Sequence, residues 1–226
     1  MKVTYYGHSC FGIETQGQHI LFDPFITPNP LASAIDISNI KANYILVSHG
    51  HQDHVADVKS IAQNTDSLVI SNFEIINWFG SKGVAKLHPM SIGGQKKLDF
   101  GKIKYVNAIH ASSMPDGTYG GSPGGFVVDC EEKKFYFAGD TALTYDMKLL
   151  KEFHQLNFAF LPIGDNFTMG VDDAILAADF IGCAKIIGMH YDTFPYIEID
   201  KEEALEKFQK AGLELILFII GETKEL

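Results

Sequence analysis

Residues 44–54, YILVSHGHQDH, join a short apolar run directly to a cluster of three histidines and one aspartate. The nearly continuous apolar run is typical of a strand that is covered on both faces. Residues 54–63, HVADVKSIAQ, then carry apolar side chains at helical spacing, which predicts a helix. The cluster therefore lies in a loop between a buried strand and a helix, where functional side chains are often found.

Strand and helix patterns alternate along the rest of the chain. The first 23 residues predict a strand, a turn and a second strand, with KVTYY and HILFD as the two strands. Further strand patterns are SLVISN, GKIKYVNAIH, GGFVVDC, KKFYFAGD, NFAFLPIG, AKIIGMH and LELILFIIG. The helical patterns between them are FEIINWFG, VDDAILAADFIG and DKEEALEKFQKAG. Asn72 and Asp200 are predicted to cap the first and last of these helices.

This alternation predicts an α+β fold, an αββα sandwich of two mixed β-sheets with helices on the outer faces. The chain has no low-complexity segment and no linker long enough to separate two domains, so residues 1–226 are predicted to form one domain. With 226 residues, of which 46% are hydrophobic, the chain can bury a sizeable core.

The charge of the chain limits its partners. The 18 basic and 28 acidic side chains give a formal charge of −10. This charge opposes binding to nucleic acid or to an anionic membrane surface, so a small-molecule substrate is the predicted partner. All the basic residues are lysines, so an anionic substrate would rely on metals, lysines or backbone amides instead of an arginine clamp.

The cysteines and the N-terminal segment indicate the cellular compartment of the protein. Cys10, Cys130 and Cys183 are odd in number and far apart, which favours reduced thiols over a disulfide framework or a thiolate zinc site. The N-terminal segment lacks the continuous apolar stretch of a signal peptide, and the apolar run LILFII is too short to span a bilayer. We therefore expect a cytoplasmic protein.

The spacing of the histidine cluster favours metal binding. His49 and His51 are two positions apart, so in an extended segment both side chains can reach one cation. Asp53 and His54 lie just past them at the entry of a helix and turn away, which favours two adjacent metal positions. Imidazole and carboxylate ligands suit zinc, iron or manganese. The alternative is a solvated, histidine-rich turn.

Three further polar residues, His110, Asp140 and His190, follow predicted strands. Strand ends at one sheet edge lie near each other, so these side chains can converge on the first cluster. Taken singly, each is also compatible with an exposed loop histidine or a turn aspartate.

The sequence resembles the metallo-β-lactamase superfamily. The resemblance is carried by H-x-H-x-D-H at residues 49–54, by a later histidine, by the AGDT turn and by the final GMH. Within the superfamily, YYGHSCF, LFDPF and the short single-domain layout resemble a small family of metal-dependent hydrolases related to the ascorbate-6-phosphate lactonases.

The resemblance implies two metal positions that share one carboxylate. Its ligand sets, carried over residue by residue, are His49, His51 and His110 for one metal, Asp53, His54 and His190 for the other, and Asp140 as the bridge. The implied cofactors are two divalent cations, zinc first, with manganese, iron or nickel as alternatives. The implied activity is metal-dependent hydrolysis, in which a hydroxide bridged by the two cations cleaves an ester-type bond of a lactone, phosphoester or thioester. In this mechanism Asp53 stays a ligand and orients the hydroxide.

Other classes of protein fit the sequence less well than this hydrolase. A flavodiiron-type protein would be expected to carry a glutamate in place of His51 and a flavodoxin-like domain, and RNA-processing relatives carry a large inserted domain. A non-catalytic metal-binding protein of the same fold is the remaining alternative, although such a protein would tolerate the loss of a ligand and this chain has all seven.

Residues outside the metal ligands have weaker signals. His8, in the YGHSCF turn, is predicted to bind substrate or to donate a proton to the leaving group, with a plain turn histidine as the alternative. Asp23 is predicted to orient a ligand imidazole. The glycine-rich loop 111–125 is predicted to be a substrate-facing flap. Of the other histidines, His19 lies in a strand, His88 precedes a proline and His154 belongs to a solvated helix face, and all three are predicted to lie outside the site.

Overall fold

Residues 1–131, 133–153 and 155–226 are described by a computed structural model of the chain. Within these residues the backbone forms two seven-stranded sheets. The first sheet has the order β14 (Thr223–Glu225), β1 (Lys2–Gly7), β2 (Cys10–Thr15), β3 (Gln18–Phe22), β4 (Tyr44–Leu46), β5 (Leu68–Asn72) and β6 (Leu87–Met90). The second has the order β13 (Glu214–Ile216), β12 (Lys185–Met189), β11 (Phe158–Pro162), β10 (Lys134–Phe137), β9 (Gly124–Asp129), β8 (Gly101–Asn107) and β7 (Gln95–Leu98).

The helices lie on both sides of these sheets. They are α1 (Gln52–Val55), α2 (Val58–Thr65), α3 (Phe73–Ser81), α4 (Met147–Phe153), α5 (Val171–Ile181) and α6 (Lys201–Lys210). Short 3₁₀ turns span Pro30–Ala32, Ile37–Asn39 and Pro195–Ile197. In the part of the chain that the structure describes, no helix combines the length and the apolar character that crossing a bilayer requires.

Each sheet is mixed in the same way. In the first, β14, β1, β2 and β3 pair antiparallel, whereas β3, β4, β5 and β6 pair parallel. In the second, β7 to β10 pair antiparallel and β10 to β13 pair parallel. The strands β1, β3 and β4 therefore run in one direction, and so do β8, β10 and β12. Residues that follow these strands are brought to one edge of each sheet.

Aromatic side chains fill the space between the sheets. Phe22 of the first sheet stacks on Phe137 of the second, with ring centroids 4.5 Å apart. Phe11 packs on Phe160 at 4.7 Å in the same way. All four side chains are fully buried, and burial of a ring of this size contributes about 1.5–3 kcal/mol. This apolar layer fixes the distance between the two sheets, and hence between the residues at their edges.

Strand β4 is covered on both faces, as its apolar run predicts. Tyr44 and Leu46 belong to the core between the sheets, whereas Ile45 and Val47 pack with buried residues of α2 and α3. The two mixed sheets with flanking helices confirm the αββα prediction. The predicted helix caps are also present, since Asn72 accepts from the Ile75 backbone N–H at 2.9 Å and Asp200 from the Glu203 backbone N–H at 3.0 Å.

Two local predictions were wrong, and a third gave a strand that is too long. The first 23 residues form three strands, because CFGIET alternates buried and more exposed side chains and pairs with both neighbours as β2. The helix predicted after the histidine cluster is split into α1 and α2, where Asp57 turns its carboxylate to the backbone N–H groups of Ile26 and Thr27. The LELILFIIG run forms a strand only over Glu214–Ile216. His154, predicted to lie on a solvated helix face, is outside the described residues.

Candidate metal centre

Six of the strands that run toward the same edge of their sheet are followed, within three residues, by a histidine or an aspartate of the candidate site. These strand-end residues are His8 after β1, Asp23 after β3, His49 after β4, His110 after β8, Asp140 after β10 and His190 after β12. His51 immediately precedes α1, and Asp53 and His54 lie in the first turn of that helix. The structure brings together all seven residues that the sequence predicted as metal ligands.

The first group consists of His49, His51 and His110. One ring nitrogen from each lies within 4.8 Å of the others, and His49 Nε2 is 3.1 Å from His51 Nδ1. His49 is fully buried, whereas His51 and His110 are partly exposed. This group therefore has a buried side and a side that solvent can reach.

The second group contains Asp53, His54 and His190, with His8 beside them. Their ligand atoms also lie within 4.8 Å of one another. Asp53 Oδ2 is 3.8 Å from His54 Nε2 and 3.9 Å from His190 Nε2. The first group has the same members as one ligand set that the family resemblance implies, and the second contains the other set together with His8. A third group of neighbouring ligand atoms, from Asp23, His49 and His54, joins the two.

Asp140 lies between the two groups. Its Oδ2 atom is close to the Nε2 atoms of four histidines, at 2.9 Å from His190, 3.3 Å from His54, 3.6 Å from His110 and 3.8 Å from His49. The Asp140 side chain is 2% exposed. One buried carboxylate is thus within reach of ligands from both groups.

Two glycines allow the backbones around the centre to approach closely. Gly139 has φ of 62°, and a Cβ atom there would lie 2.7 Å from Ser48 Cβ. A Cβ atom on Gly164 would lie 2.1 Å from the carbonyl oxygen of His190. Any larger residue would push apart the segments that carry Asp140 and His190, because real Cβ atoms do not come this close to their neighbours.

Asp23 contacts His54 directly and His49 through Ser48, and it thereby orients both imidazoles. The sequence suggested such a contact between Asp23 and a predicted ligand. Asp23 is fully buried, and its Oδ2 accepts from His54 Nδ1 at 2.8 Å and from the Ser48 hydroxyl at 2.5 Å. Its Oδ1 accepts from the Ser48 backbone N–H at 2.7 Å. Because the Ser48 hydroxyl donates to Asp23, it accepts from His49 Nδ1 at 3.0 Å. Both rings therefore carry their proton on Nδ1 and turn Nε2 toward Asp140.

Burial and neighbouring charges shift the pKa values of the groups at this site. Burial lowers the pKa of His49 well below its usual value, so this imidazole is neutral. Burial would raise the pKa of Asp140, but His190 and His54 outweigh it and hold that pKa well below its usual range. Burial opposes charge on His54 as well, yet Asp140, Asp53 and Asp23 raise the pKa of its imidazole. The carboxylates are thus stabilised by positive charge at the centre. Without a metal, a second proton on His54 supplies this charge.

The residues present fit divalent cations. Among the described residues, His54 Nε2 and Asp140 Oδ1 are buried atoms without a hydrogen-bond partner, an uncommon condition for buried polar groups. The donor set consists of imidazole nitrogens and carboxylate oxygens, which suit zinc, manganese, iron and nickel. The orphaned atoms and the unbalanced carboxylates both point to a cation at this place.

His8 lies deeper than the sequence suggested. Its side chain is buried, and its two ring nitrogens lie at hydrogen-bond distance from Asp53 and Thr193. The partnership with Thr193 has no signal in the sequence, because the two residues are 185 positions apart. His19 and His88 lie within β3 and β6 and belong to neither ligand group.

The loop 111–125 is attached to α3 and to the histidine turn. Asn72 Nδ2 donates to the Gly120 carbonyl at 2.7 Å, and Trp78 Nε1 donates to Asp116 at 2.8 Å. The Gly50 backbone N–H, between His49 and His51, donates to the Ser112 hydroxyl at 3.1 Å. The loop therefore supports the turn that carries His49 and His51. Its predicted role as a substrate-facing flap stays a prediction.

Comparisons with known proteins agree with this geometry. Residues 2–190 match the sequence model of the beta-lactamase superfamily domain. The UPF0173 metal-dependent hydrolase of Flavobacterium johnsoniae is 59% identical over 226 residues, which is the full length of both chains. YtkL of Bacillus subtilis, also a UPF0173 metal-dependent hydrolase, is 46% identical and covers both chains fully. The structure of Igni18, a metallo hydrolase from Ignicoccus hospitalis, matches with a TM-score of 0.89 at 34% identity, over 100% of this chain and 98% of that one.

The fold, the match to the superfamily sequence model and the identity to the relatives all indicate the same class of protein. The chain belongs to the β-lactamase superfamily and, within it, to the UPF0173 family of metal-dependent hydrolases. This confirms the superfamily and the enzyme class predicted from the sequence. The relation to the ascorbate-6-phosphate lactonases stays a prediction.

Proposed function

We propose that the protein is a dinuclear hydrolase that cleaves an ester-type bond in a small molecule, with lactones, phosphoesters and thioesters as the candidate substrates. The observation that carries this proposal is the position of Asp140, whose Oδ2 atom lies within 3.8 Å of histidines from both ligand groups. A carboxylate placed between two three-residue groups suits a pair of cations better than a single ion.

The ligand assignment follows the two groups. His49, His51 and His110 would hold one cation, Asp53, His54 and His190 would hold the other, and Asp140 would bind both. Zinc is the first expectation for both positions, because neutral imidazoles and carboxylates are its usual ligands in catalytic sites. When bound, the cations supply a water molecule acidic enough to react near neutral pH, and they polarise the bond that is cleaved.

The chain itself contributes orientation and charge. Asp23 and Ser48 fix the tautomers of His54 and His49, so that their Nε2 atoms point to the centre. Burial would raise the pKa of Asp53, but His54 and His8 outweigh it and keep that carboxyl ionised. An ionised Asp53 can bind a cation and also accept a hydrogen bond from the attacking water.

Access to the centre favours catalysis over a non-catalytic metal site. Structural metal sites are closed by their ligands, whereas catalytic sites leave a position open. Here the side chain of Asp53 is 24% exposed and that of His110 is 14% exposed, one in each ligand group. A small molecule can therefore reach both groups.

The proposal places the protein in the cytoplasm, and the three free, buried cysteines support this location.

A reconstitution panel tests the function. Metal-free protein, prepared with a chelator, should be inactive toward lactone, phosphoester and thioester substrates. Adding back zinc, manganese, iron or nickel should restore hydrolysis of one substrate class by at least about 10²-fold, because the cations supply the nucleophile. Initial rates for each metal and substrate pair give the result.

The same panel has two contradicting outcomes. Turnover that a chelator leaves unchanged would show that the seven ligands have no part in the reaction. Protein that holds two cations and hydrolyses no ester-type substrate would favour the non-catalytic alternative. His88→Gln, a substitution in a strand away from both ligand groups, is the control and should behave as wild type.

A further inference from the structure

His8 is held in one orientation by the backbone around it. It follows β1 with φ of 56°, in the left-handed region that few residues other than glycine adopt. Its carbonyl oxygen accepts from the His190 backbone N–H at 3.0 Å and from the Tyr5 hydroxyl at 3.2 Å. These contacts connect the turn after β1 to the segment that carries a predicted metal ligand.

The ring of His8 is enclosed as well. It is 1% exposed, and its centroid lies 4.2 Å from that of His190. Phe25 and Phe194 pack edge-on against it at 5.6 and 5.4 Å. The ring cannot turn toward an incoming substrate without displacing these neighbours, which argues against the proton-donor role that the sequence suggested.

Both ring nitrogens of His8 have partners. Nε2 lies 3.1 Å from Asp53 Oδ2, and Nδ1 lies 2.9 Å from Thr193 Oγ1. A carboxylate can only accept, so Nε2 carries the proton and donates to Asp53. Nδ1 is then an acceptor, and the Thr193 hydroxyl donates to it. The alternative acceptor for this hydroxyl, the Tyr191 carbonyl, is farther away at 3.4 Å.

Asp53 depends on a neighbouring side chain for its orientation. It lies on α1, a helix of only four residues, and its side chain is more exposed than those of Asp140 and His54. Within the described part of the chain, His8 is the one side chain that donates a hydrogen bond to it. Without His8, the Asp53 carboxylate would be free to rotate toward solvent.

We propose that His8, held in its tautomer by Thr193, is a positioning residue that presents Asp53 to the second metal position. The inference rests on the proposed function, in which Asp53 binds a cation together with His54 and His190. It assigns His8 to the support of a ligand, and it gives Thr193 a part in the site. The first position, formed by His49, His51 and His110, has no contact with this pair and serves as an internal reference.

Zinc affinities of metal-free variants test the inference without any substrate. We expect His8→Ala to weaken zinc binding at the second position by about 10–100-fold, the usual effect of losing a residue that orients a ligand, and to leave binding at the first position unchanged. The variant should then show one weakened and one unchanged zinc-binding constant. His8→Gln keeps an N–H donor and should stay within a few-fold of wild type. Thr193→Val should weaken the same constant, whereas Thr193→Ser keeps the hydroxyl and should not. Competition with a chromophoric chelator gives both constants.

The outcomes separate the possible roles of His8. Two zinc-binding constants that are the same in wild type, His8→Ala and Thr193→Val would overturn the inference. A His8→Gln variant as weak as His8→Ala would also overturn it, because glutamine replaces a donor but not an imidazole ligand. Wild-type protein that binds fewer than two zinc ions would overturn the proposed function first, and this inference with it.

Two controls cover the effect of the substitutions on folding. The melting temperature of each metal-free variant shows whether a loss of affinity reflects loss of structure, and His88→Gln is the matched histidine control. The Thr193→Val and Thr193→Ser pair keeps the test decisive if His8→Ala does not fold.

Discussion

Asp140→Asn should abolish nearly all hydrolysis, with a fall in kcat of at least about 10³-fold, which is the upper range for losing a single preorganised hydrogen-bond donor at an active site. Asparagine keeps the shape of the side chain but removes the negative charge that lies within 3.8 Å of four imidazoles. Both cations would lose their shared ligand, so the variant should also hold less metal. Steady-state rates and elemental analysis on the same preparation measure the two effects.

The control for this substitution is Asp173→Asn, at an exposed position in the first turn of α5. It should leave both rate and metal content at the wild-type level. An Asp140→Asn variant with wild-type turnover at normal metal content would show that no shared carboxylate is needed, and the dinuclear account would have to be abandoned.

Asp23→Asn should lower both stability and metal affinity. The side chain is fully buried and accepts from the Ser48 backbone, the Ser48 hydroxyl and His54 Nδ1. An amide cannot accept at both ends, so one of these donors would be left without a partner. Breaking a buried charged pair costs about 3–5 kcal/mol, and loss of an orienting contact weakens metal binding about 10–100-fold. Denaturant unfolding of the metal-free protein measures the change in stability, and zinc competition measures the change in metal affinity.

Asp57→Asn is the matched control for Asp23→Asn. Asp57 is also buried and accepts two backbone N–H bonds, from Ile26 and Thr27, but no imidazole donates to it. This variant should lose stability and keep its zinc affinity. If Asp23→Asn also kept full zinc affinity, Asp23 would be a structural residue and its contact with His54 would have no effect on the metal centre.

Local sequence patterns predicted the buried strand before the histidine cluster and the polar residues that follow the strands. The apolar run before His49 predicted a strand covered on both faces, and the structure has one there. Polar residues after the strands, such as His110 and His190, could be assigned to one edge because strands that run the same way end at the same edge. These arguments depend only on periodicity and on strand direction.

The supporting contacts could not be predicted in this way. The hydrogen bond between His8 and Thr193 joins the turn after β1 to the segment after β12, and no pattern in either segment records it. Ser48 adjoins a predicted ligand, but its hydroxyl links Asp23 to His49 only through the packing of β3 beside β4. Strand β2 was missed because its pairing with both neighbours, and not its composition, makes it a strand.

The number of cations bound per chain tests the central claim most directly. Elemental analysis of wild-type protein, His110→Ala and His190→Ala, each reconstituted with zinc and freed of excess metal, separates the two positions. Each variant removes a ligand from one group only. The dinuclear account predicts about two ions in the wild type and about one in each variant, because each ligand group holds its own cation. One ion or none in the wild type, or two ions kept in both variants, would contradict it.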